Sequence, residues 1–196
     1  LLRLWKLGSI PPSLTPDEAS LGYNAYSILK TGRDEYGKFT PIIFKSFGDY
    51  KPGLYVYLAV PSIFAFGLNE FATRLPSALA GILSVYLIYL VIKELKIKNS
   101  LEIENCKLEI VAAAVAATNP WLIYFSRGAW EVNVSLTLTL LGIYFFLRAL
   151  ENSRFTVYCS LAFALTLITY QGAKLSTGIV ILLLVALYFR RVIKIE

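Results

Sequence analysis

Histidine and methionine are absent from this chain of 196 residues, and cysteine occurs only at Cys106 and Cys159. Two cysteines make no disulfide framework, and without histidine neither thiol has the partners of a zinc site, so both are read as inert. Charge is scarce too. Charged residues make up 16% of the chain and hydrophobic ones 57%, with a mean hydropathy of +0.61, whereas a soluble domain carries about 25% charge. This excludes an ordinary soluble domain and indicates an integral membrane protein with the lipid bilayer as a partner. The net charge of +6 does not indicate nucleic acid, because the basic residues cluster at the ends of apolar runs and in one long polar loop, with no continuous basic face. A cleavable signal peptide is not evident, since the apolar stretch at Leu1 is short and has no basic leader. A chain opening on Leu1-Leu2-Arg3-Leu4-Trp5 without methionine is expected to be the N-terminal part of a longer protein, with residues 1–7 the outgoing end of a first span.

What is abundant is apolar sequence in runs. Leu75 to Ile92, Ile110 to Phe125, Val132 to Leu150, Phe155 to Tyr170 and Leu175 to Phe189 are each expected to span the membrane, several of them near the lower limit of about 17 residues. Lys93, Lys96, Lys98 and Lys107, the turn from Arg148 to Arg154, and the tail with Arg190, Arg191 and Lys194 form the basic set that the positive-inside rule places in the cytoplasm. The Arg127 loop, the Lys174 turn and the polar stretch around Asp17 then face outward. The run from Pro52 to Leu68 carries Gly53, an internal Pro61 and many aromatics; it is expected to lie at the outer interface, with a full crossing as the alternative. Leu21, Ala25, Ile28 and Leu29 recur at helical spacing beside Ser20, Asn24 and Lys30, which predicts an amphipathic surface helix capped by Thr15, opened by Pro16 and closed by Gly32. Residues 33–50 read as polar and irregular. The expected organisation is residues 1–7 as a span end, 8–74 as an outward loop with surface helices, and 75–196 as about five further spans. The fold class is all-α, a polytopic transmembrane helical bundle.

Two acids, Asp17 and Glu18, follow the turn Pro11-Pro12-Ser13-Leu14-Thr15-Pro16. A bland explanation exists, because acids in a helix's first turn interact favourably with its dipole by about 0.3–1 kcal/mol. Their company favours another. The same outward face carries Lys51 beside Pro52, Arg127 with Glu131, and Lys174 in Tyr170-Gln171-Gly172-Ala173-Lys174. A carboxylate among separate cations suits a hydroxyl nucleophile and a phosphate leaving group. Arg127 and Lys174 also have a structural reading, as side chains that snorkel from span ends to the headgroups, and Arg74 is expected to anchor the following span at the interface. Tyr55, Tyr57, Trp121, Trp130 and Tyr170 are expected in the interfacial belt. Asn133-Val134-Ser135 fits the glycosylation pattern but sits too near a span mouth for ready modification.

The ordered segments Thr15-Pro16-Asp17-Glu18-Ala19, Leu21-Gly22-Tyr23-Asn24-Ala25, Lys51-Pro52-Gly53-Leu54-Tyr55 and Asn69-Glu70-Phe71-Ala72-Thr73-Arg74-Leu75-Pro76, continued by Asn119-Pro120-Trp121 and Ser126-Arg127-Gly128-Ala129-Trp130-Glu131, resemble the N-terminal half of glycosyltransferase family 39. That family includes dolichyl-phosphate-mannose protein mannosyltransferases and lipid A aminoarabinose transferases. The resemblance implies a GT-C fold with its active site on the extracytoplasmic face of the plasma membrane. It also implies a polyprenyl-phosphate-linked sugar donor, a hydroxyl acceptor on protein, lipid or glycan, and inversion at the anomeric carbon. By resemblance Asp17 is the first-loop acid, the catalytic base or an organiser of the acceptor, Glu18 the second acid beside it, and Lys51 the cation near the lipid phosphate; the shared outward face adds Arg127 and Lys174 as cations for the phosphate, with Glu131 as a further substrate-binding position. Gly53 and Glu131 depart from the usual pattern, which has a second Pro and an Asp there. No cofactor is assigned: a divalent metal is compatible with related folds, but two acids without histidine make a thin ligand set. Two other function classes remain open at this point. A transporter or flippase of a lipid-linked substrate would carry ionisable residues deep in its spans, and a non-catalytic membrane scaffold would have lost the acid pair.

Overall fold

Thr15 and Pro16 start the first helix as their chemistry requires. In α1 (Pro16–Thr31) the Thr15 hydroxyl accepts from the Glu18 N–H at 3.3 Å and the Glu18 carboxylate accepts from the Thr15 N–H at 2.9 Å, a reciprocal capping box. The helix ends at Gly32, whose φ of 68° is the left-handed conformation that glycine adopts without strain. The computed structural model describes residues 1–99 and 107–189, with side chains undescribed over 96–99. Cys106, Arg190, Arg191 and Lys194 lie outside the described residues, as do the side chains of Lys96 and Lys98.

The apolar stripe of α1 is buried as its spacing predicts, with Leu21 and Ala25 inside. Ser20 and Asn24, expected on the polar face, are buried as well. The Asn24 amide donates to Ser20 O and the Glu35 carboxylate, both at 3.0 Å, and its carbonyl accepts from the Glu35 N–H at 3.1 Å. The helix is therefore covered on two sides, because the following loop folds back over it.

The segment expected to be irregular contains a hairpin, β1 (Ile43–Ser46) and β2 (Asp49–Pro52), antiparallel in the register Ile43↔Pro52, Phe44↔Lys51, Lys45↔Tyr50 and Ser46↔Asp49. Phe47 and Gly48 turn it, both at positive φ, the geometry that matches the strands' own twist. The strands are four residues long, too short for alternation to stand out in sequence. After it, α2 (Leu54–Phe66) spans about 20 Å at 1.5 Å per residue, less than the hydrocarbon thickness of about 30 Å.

Then come α3 (Glu70–Asn99), α4 (Leu108–Thr118), α5 (Pro120–Ser126), α6 (Glu131–Ala149), α7 (Phe155–Leu167) and α8 (Ala173–Leu187). By length and composition, two helices can cross a membrane, within Glu70–Leu95 and Glu131–Ala149, and a third crossing results if α4 and α5 count as one span bent by 59°. The bend falls where Asn119 caps α5 and Pro120 occupies its first turn. With 13 and 15 residues, α7 and α8 are apolar but shorter than spans by themselves. The fold is thus mostly helical, with one small hairpin among the described residues. Two further expectations need correction: α3 continues to Asn99, so Lys93 belongs to a helix and not to a basic loop, and residues 2–9 run as successive turns instead of a regular span end.

Polar side chains hold α3 to α6. Ser84 and Thr137 share a hydrogen bond of 2.8 Å, Thr137 also donates to Ala80 O at 3.0 Å, and the Asn133 amide donates to Ser77 O at 2.7 Å. This satisfies hydroxyls and an amide that are costly to leave unpaired beside hydrocarbon. It also accounts for Asn133 being buried, turned inward and away from any modifying enzyme. Gly142 lets α7 approach α6 closely, since a Cβ there would lie 2.7 Å from the Phe163 ring. The apolar core gathers Leu21, Ala25, Phe44, Tyr55, Ala59, Ile63, Ala72 and Val134, where α1, the hairpin and α2 sit on the starts of α3 and α6.

Candidate active site

Asp17 and Glu18 are neighbours on α1, yet about 100° of helical turn separates them, and they have different fates. Glu18 points inward, 2% exposed, against Arg74, which is completely buried. Its first oxygen accepts from Arg74 Nε at 2.9 Å and from the Ala129 N–H at 2.8 Å, and its second from the Thr15 N–H at 2.9 Å and Arg74 Nη2 at 3.2 Å. Those bonds use essentially every acceptor site a carboxylate has. Arg74 is equally committed: beyond Glu18 it donates to Leu7 O at 3.2 Å, Pro11 O at 2.8 Å and Ser13 O at 2.6 Å. Burial by itself raises the Glu18 carboxyl, but the hydrogen bonds from Arg74, Thr15 and Ala129 and the guanidinium charge outweigh it and hold the group below its ordinary range. Glu18, expected as a second catalytic acid, is a tie between α1, α3 and the 127–130 turn. Arg74, expected at the interface, is its buried partner.

Asp17 turns the other way. Its carboxylate is half-exposed and forms an ion pair with Lys51 of β2. Both line a cavity of about 550 Å³ whose wall also includes Asp49, Phe125, Trp130, Glu131, Tyr170 and Gln171. The hairpin holds Lys51 there, and it is in turn tied to the α7–α8 connection: the Gln171 side chain donates to Tyr50 O, and the Leu54 N–H to Ile168 O at 3.1 Å. Glu131 enters from the first turn of α6. Its Oε1 is buried without a hydrogen-bond partner, which leaves one acceptor free beside the cavity. Phe125 and Trp130 form an edge-on aromatic pair in the wall, with ring centres 6.0 Å apart.

The structure therefore brings together three of the six residues singled out from sequence, Asp17, Lys51 and Glu131, and leaves three elsewhere. Arg127 is consumed by backbone: its guanidinium donates to Leu2 O at 2.6 Å, Trp5 O at 2.8 Å and Ile10 O at 2.9 Å, pinning the N-terminal turns. Lys174 lines a separate apolar cavity between α6, α7 and α8. Sequence reading passed over Asp49 and Gln171. Asp49 was within reach, because two residues apart on a strand means one face, so placing Lys51 on β2 places Asp49 beside it. Gln171 became a site residue only through the pairing of two distant loops.

Chemically the cavity offers three carboxyls, one ammonium and an aromatic wall. One cation matches a singly charged phosphodiester better than a free phosphate dianion, and carboxylates with spare acceptor capacity suit the hydroxyls of a sugar. Among the described residues no group of three His, Cys, Asp or Glu side chains forms a metal site. No protein-family model, curated protein or solved structure matches this chain significantly.

Proposed function

We propose that this chain is part of a polytopic, GT-C-like membrane glycosyltransferase that moves a sugar from a polyprenyl-phosphate donor to a hydroxyl acceptor, at the extracytoplasmic face of the plasma membrane. The observation that carries this reading is the meeting of Asp17, Lys51 and Glu131, far apart in sequence, on one cavity beside the start of a membrane-length helix.

In this reading the donor phosphodiester draws the Lys51 ammonium from Asp17, and the freed carboxylate accepts the proton of the acceptor hydroxyl. The acceptor oxygen bonds to the anomeric carbon as the bond from that carbon to the phosphate oxygen breaks, and the electron pair leaves with the phosphate, whose added charge Lys51 meets. A single displacement inverts the anomeric centre. Glu131, through its unpartnered oxygen, accepts hydrogen bonds from sugar hydroxyls. A positioned base contributes typically about 10²–10⁴-fold, and a charge poised for the developing oxyanion adds to it. Glu18 acts only by fixing the helix that presents Asp17.

The test is incubation of membranes containing the full-length protein with radiolabelled polyprenyl-phosphate sugars. Label is expected to move to an acceptor with wild type, and Lys51→Gln is expected to cut the rate by about 10²-fold. Absence of transfer from every prenyl-phosphate sugar, with the protein folded, would overturn the reading.

A further inference from the structure

The hairpin carries more apolar surface than its own fold uses. Directly opposed residues of a strand pair share a face, so Phe44, Ser46, Asp49 and Lys51 look toward the core and the acidic cavity. Ile43, Lys45 and Tyr50 look the other way and are exposed. At the tip, Phe47 holds a φ of 46°, a left-handed conformation that a bulky side chain seldom adopts. Its ring is 75% exposed and lies outside the apolar core. A turn residue that is strained, exposed and unused within the fold points to a use outside it.

Charge in this segment is sorted by side. The three acids of residues 33–50 are all employed inward. Asp34 is buried and accepts from the Tyr36 and Lys38 N–H groups at 3.0 and 2.7 Å, Glu35 accepts from the Asn24 amide at 3.0 Å, and Asp49 accepts from the Tyr50 N–H at 2.7 Å while it lines the cavity. The bases Arg33, Lys38 and Lys45 are exposed, with Lys45 over the Tyr36 ring at 5.1 Å. What the segment turns outward is therefore aromatic, aliphatic and basic.

Its height relative to the spans is also fixed. The Leu54 N–H donates to Ile168 O at 3.1 Å and the Gln171 side chain to Tyr50 O, so the hairpin is clasped to the turn after α7. At 13 residues α7 is about 20 Å long, against about 28 Å for the 19 residues of α6, along which it packs. Gln171 lines the same cavity as Glu131, the first residue of α6. The clasp thus sits where a helix long and apolar enough to cross a membrane leaves the hydrocarbon. That layer is where aromatic rings and lysines are favoured together.

We propose that the hairpin is a membrane-contact element: Phe47, with Ile43 and Tyr50 behind it, enters the boundary between acyl chains and headgroups at the mouth of α6, and Lys45 with Lys38 meets lipid phosphates. Ile43 and Lys45 stand on the free edge of β1, where backbone groups have no neighbouring strand. The side chains therefore reach the hydrocarbon while the backbone stays among headgroups and water. The bilayer then steadies the strand that presents Asp49 and Lys51 to the cavity. The inference goes beyond the transferase reading and does not depend on it.

Two measurements on the full-length protein, in nanodiscs of phosphatidylcholine with phosphatidylglycerol, test it without any turnover. The first, Phe47→Gly, discriminates by sign. Glycine suits the positive φ, so a hairpin in free solvent would exchange its amide hydrogens as slowly as wild type or more slowly. Loss of a membrane contact instead predicts exchange over 43–50 about threefold faster or more. A rate at or below that of wild type overturns the proposal. In the second, a phosphatidylglycerol bearing a diazirine near the ester end of its acyl chain is expected to label residues 36–50 of wild type, and the double variant Lys38→Gln/Lys45→Gln to reduce this about fivefold. Absence of adducts there overturns the contact, and labelling that the lysine changes leave intact overturns the role given to the lysines. Protection of the hairpin that follows protein concentration or an added polypeptide, and not lipid, would assign the surface to a second copy or a polypeptide and overturn the proposal too. A protein that shows both lipid results and transfers no sugar would sink the transferase reading alone.

Discussion

Asp17 and Glu18 stand side by side in the chain and could hardly be placed more differently. Around Glu18 every donor and acceptor is taken: the carboxylate accepts four hydrogen bonds and Arg74 spends its guanidinium on Glu18 and three backbone carbonyls. Around Asp17 the chemistry is left unfinished, with a half-exposed acid, one lysine, and a neighbouring Glu131 with an unpartnered oxygen. A saturated ion pair in a buried site contributes to which structure forms; an unsaturated one in a cavity can do something to a ligand. On the proposed transferase reading, the comparison separates a residue that builds the site from one that works in it, and mutation can break it in graded steps.

The largest expected effect is on the saturated side. Glu18→Ala leaves the Arg74 guanidinium buried without its counter-charge, and loss of one partner of such a pair typically costs about 3–5 kcal/mol. Thermal unfolding of the solubilised protein is expected to show that loss, together with disorder of the 8–15 turn that Arg74 pins. The wild-type node has a pH signature as well. Because the folded carboxyl is held below its ordinary value of 4.5, its stabilisation is fully present above that value and is lost as the pH falls through the depressed one; Glu18→Gln is expected to flatten this acid limb. A Glu18→Ala protein with unchanged unfolding and abolished transfer would invert the comparison and make Glu18 the chemical residue.

Next comes the unsaturated side. Asp17→Asn keeps the shape and the helix start and removes the proposed base, so a fall in transfer of about 10²-fold or more is expected with unchanged thermal unfolding. Near-normal transfer by Asp17→Asn, measured with the same labelled donor, would remove Asp17 from the mechanism.

Much of this contrast was legible in the sequence. Thr15, Pro16 and Gly32 announce both ends of α1 through local chemistry that needs no tertiary information, and the apolar runs announce the long helices. The orientation of Glu18 was not legible, because its partners are Arg74, 56 positions away, and the Ala129 N–H, 111 positions away. Arg74 and Arg127 looked like interfacial cations because composition reports charge and not what charge is bonded to. Both donate to carbonyls of the N-terminal turns, an irregular backbone whose own hydrogen bonds no periodicity reveals. The hairpin escaped for a related reason: four-residue strands lie below the length at which alternation is visible, and the pairing of Phe44 with Lys51 is what carries Lys51 to the cavity.

The smallest expected effect is also the one that discriminates most finely between expected topology and structure. The positive-inside topology grouped Lys174 with Lys51 as phosphate cations, because it places both on the outward face. In the fold, Lys51 is paired with Asp17 in the acidic cavity, whereas Lys174 is exposed at the start of α8 and lines the apolar space between α6, α7 and α8. A cation outside the cavity is screened by solvent from a phosphate within it, and an exposed substitution typically changes a free energy by no more than about 0.5 kcal/mol. Lys174→Gln is therefore expected to leave kcat/KM for the labelled donor within about twofold of wild type, beside the large loss expected for Lys51→Gln. Equal losses in the two variants would mean that α8 moves its lysine into the cavity when donor binds, and the α7–α8 connection, held to the hairpin through Gln171 and Tyr50, would then be the hinge that brings it there.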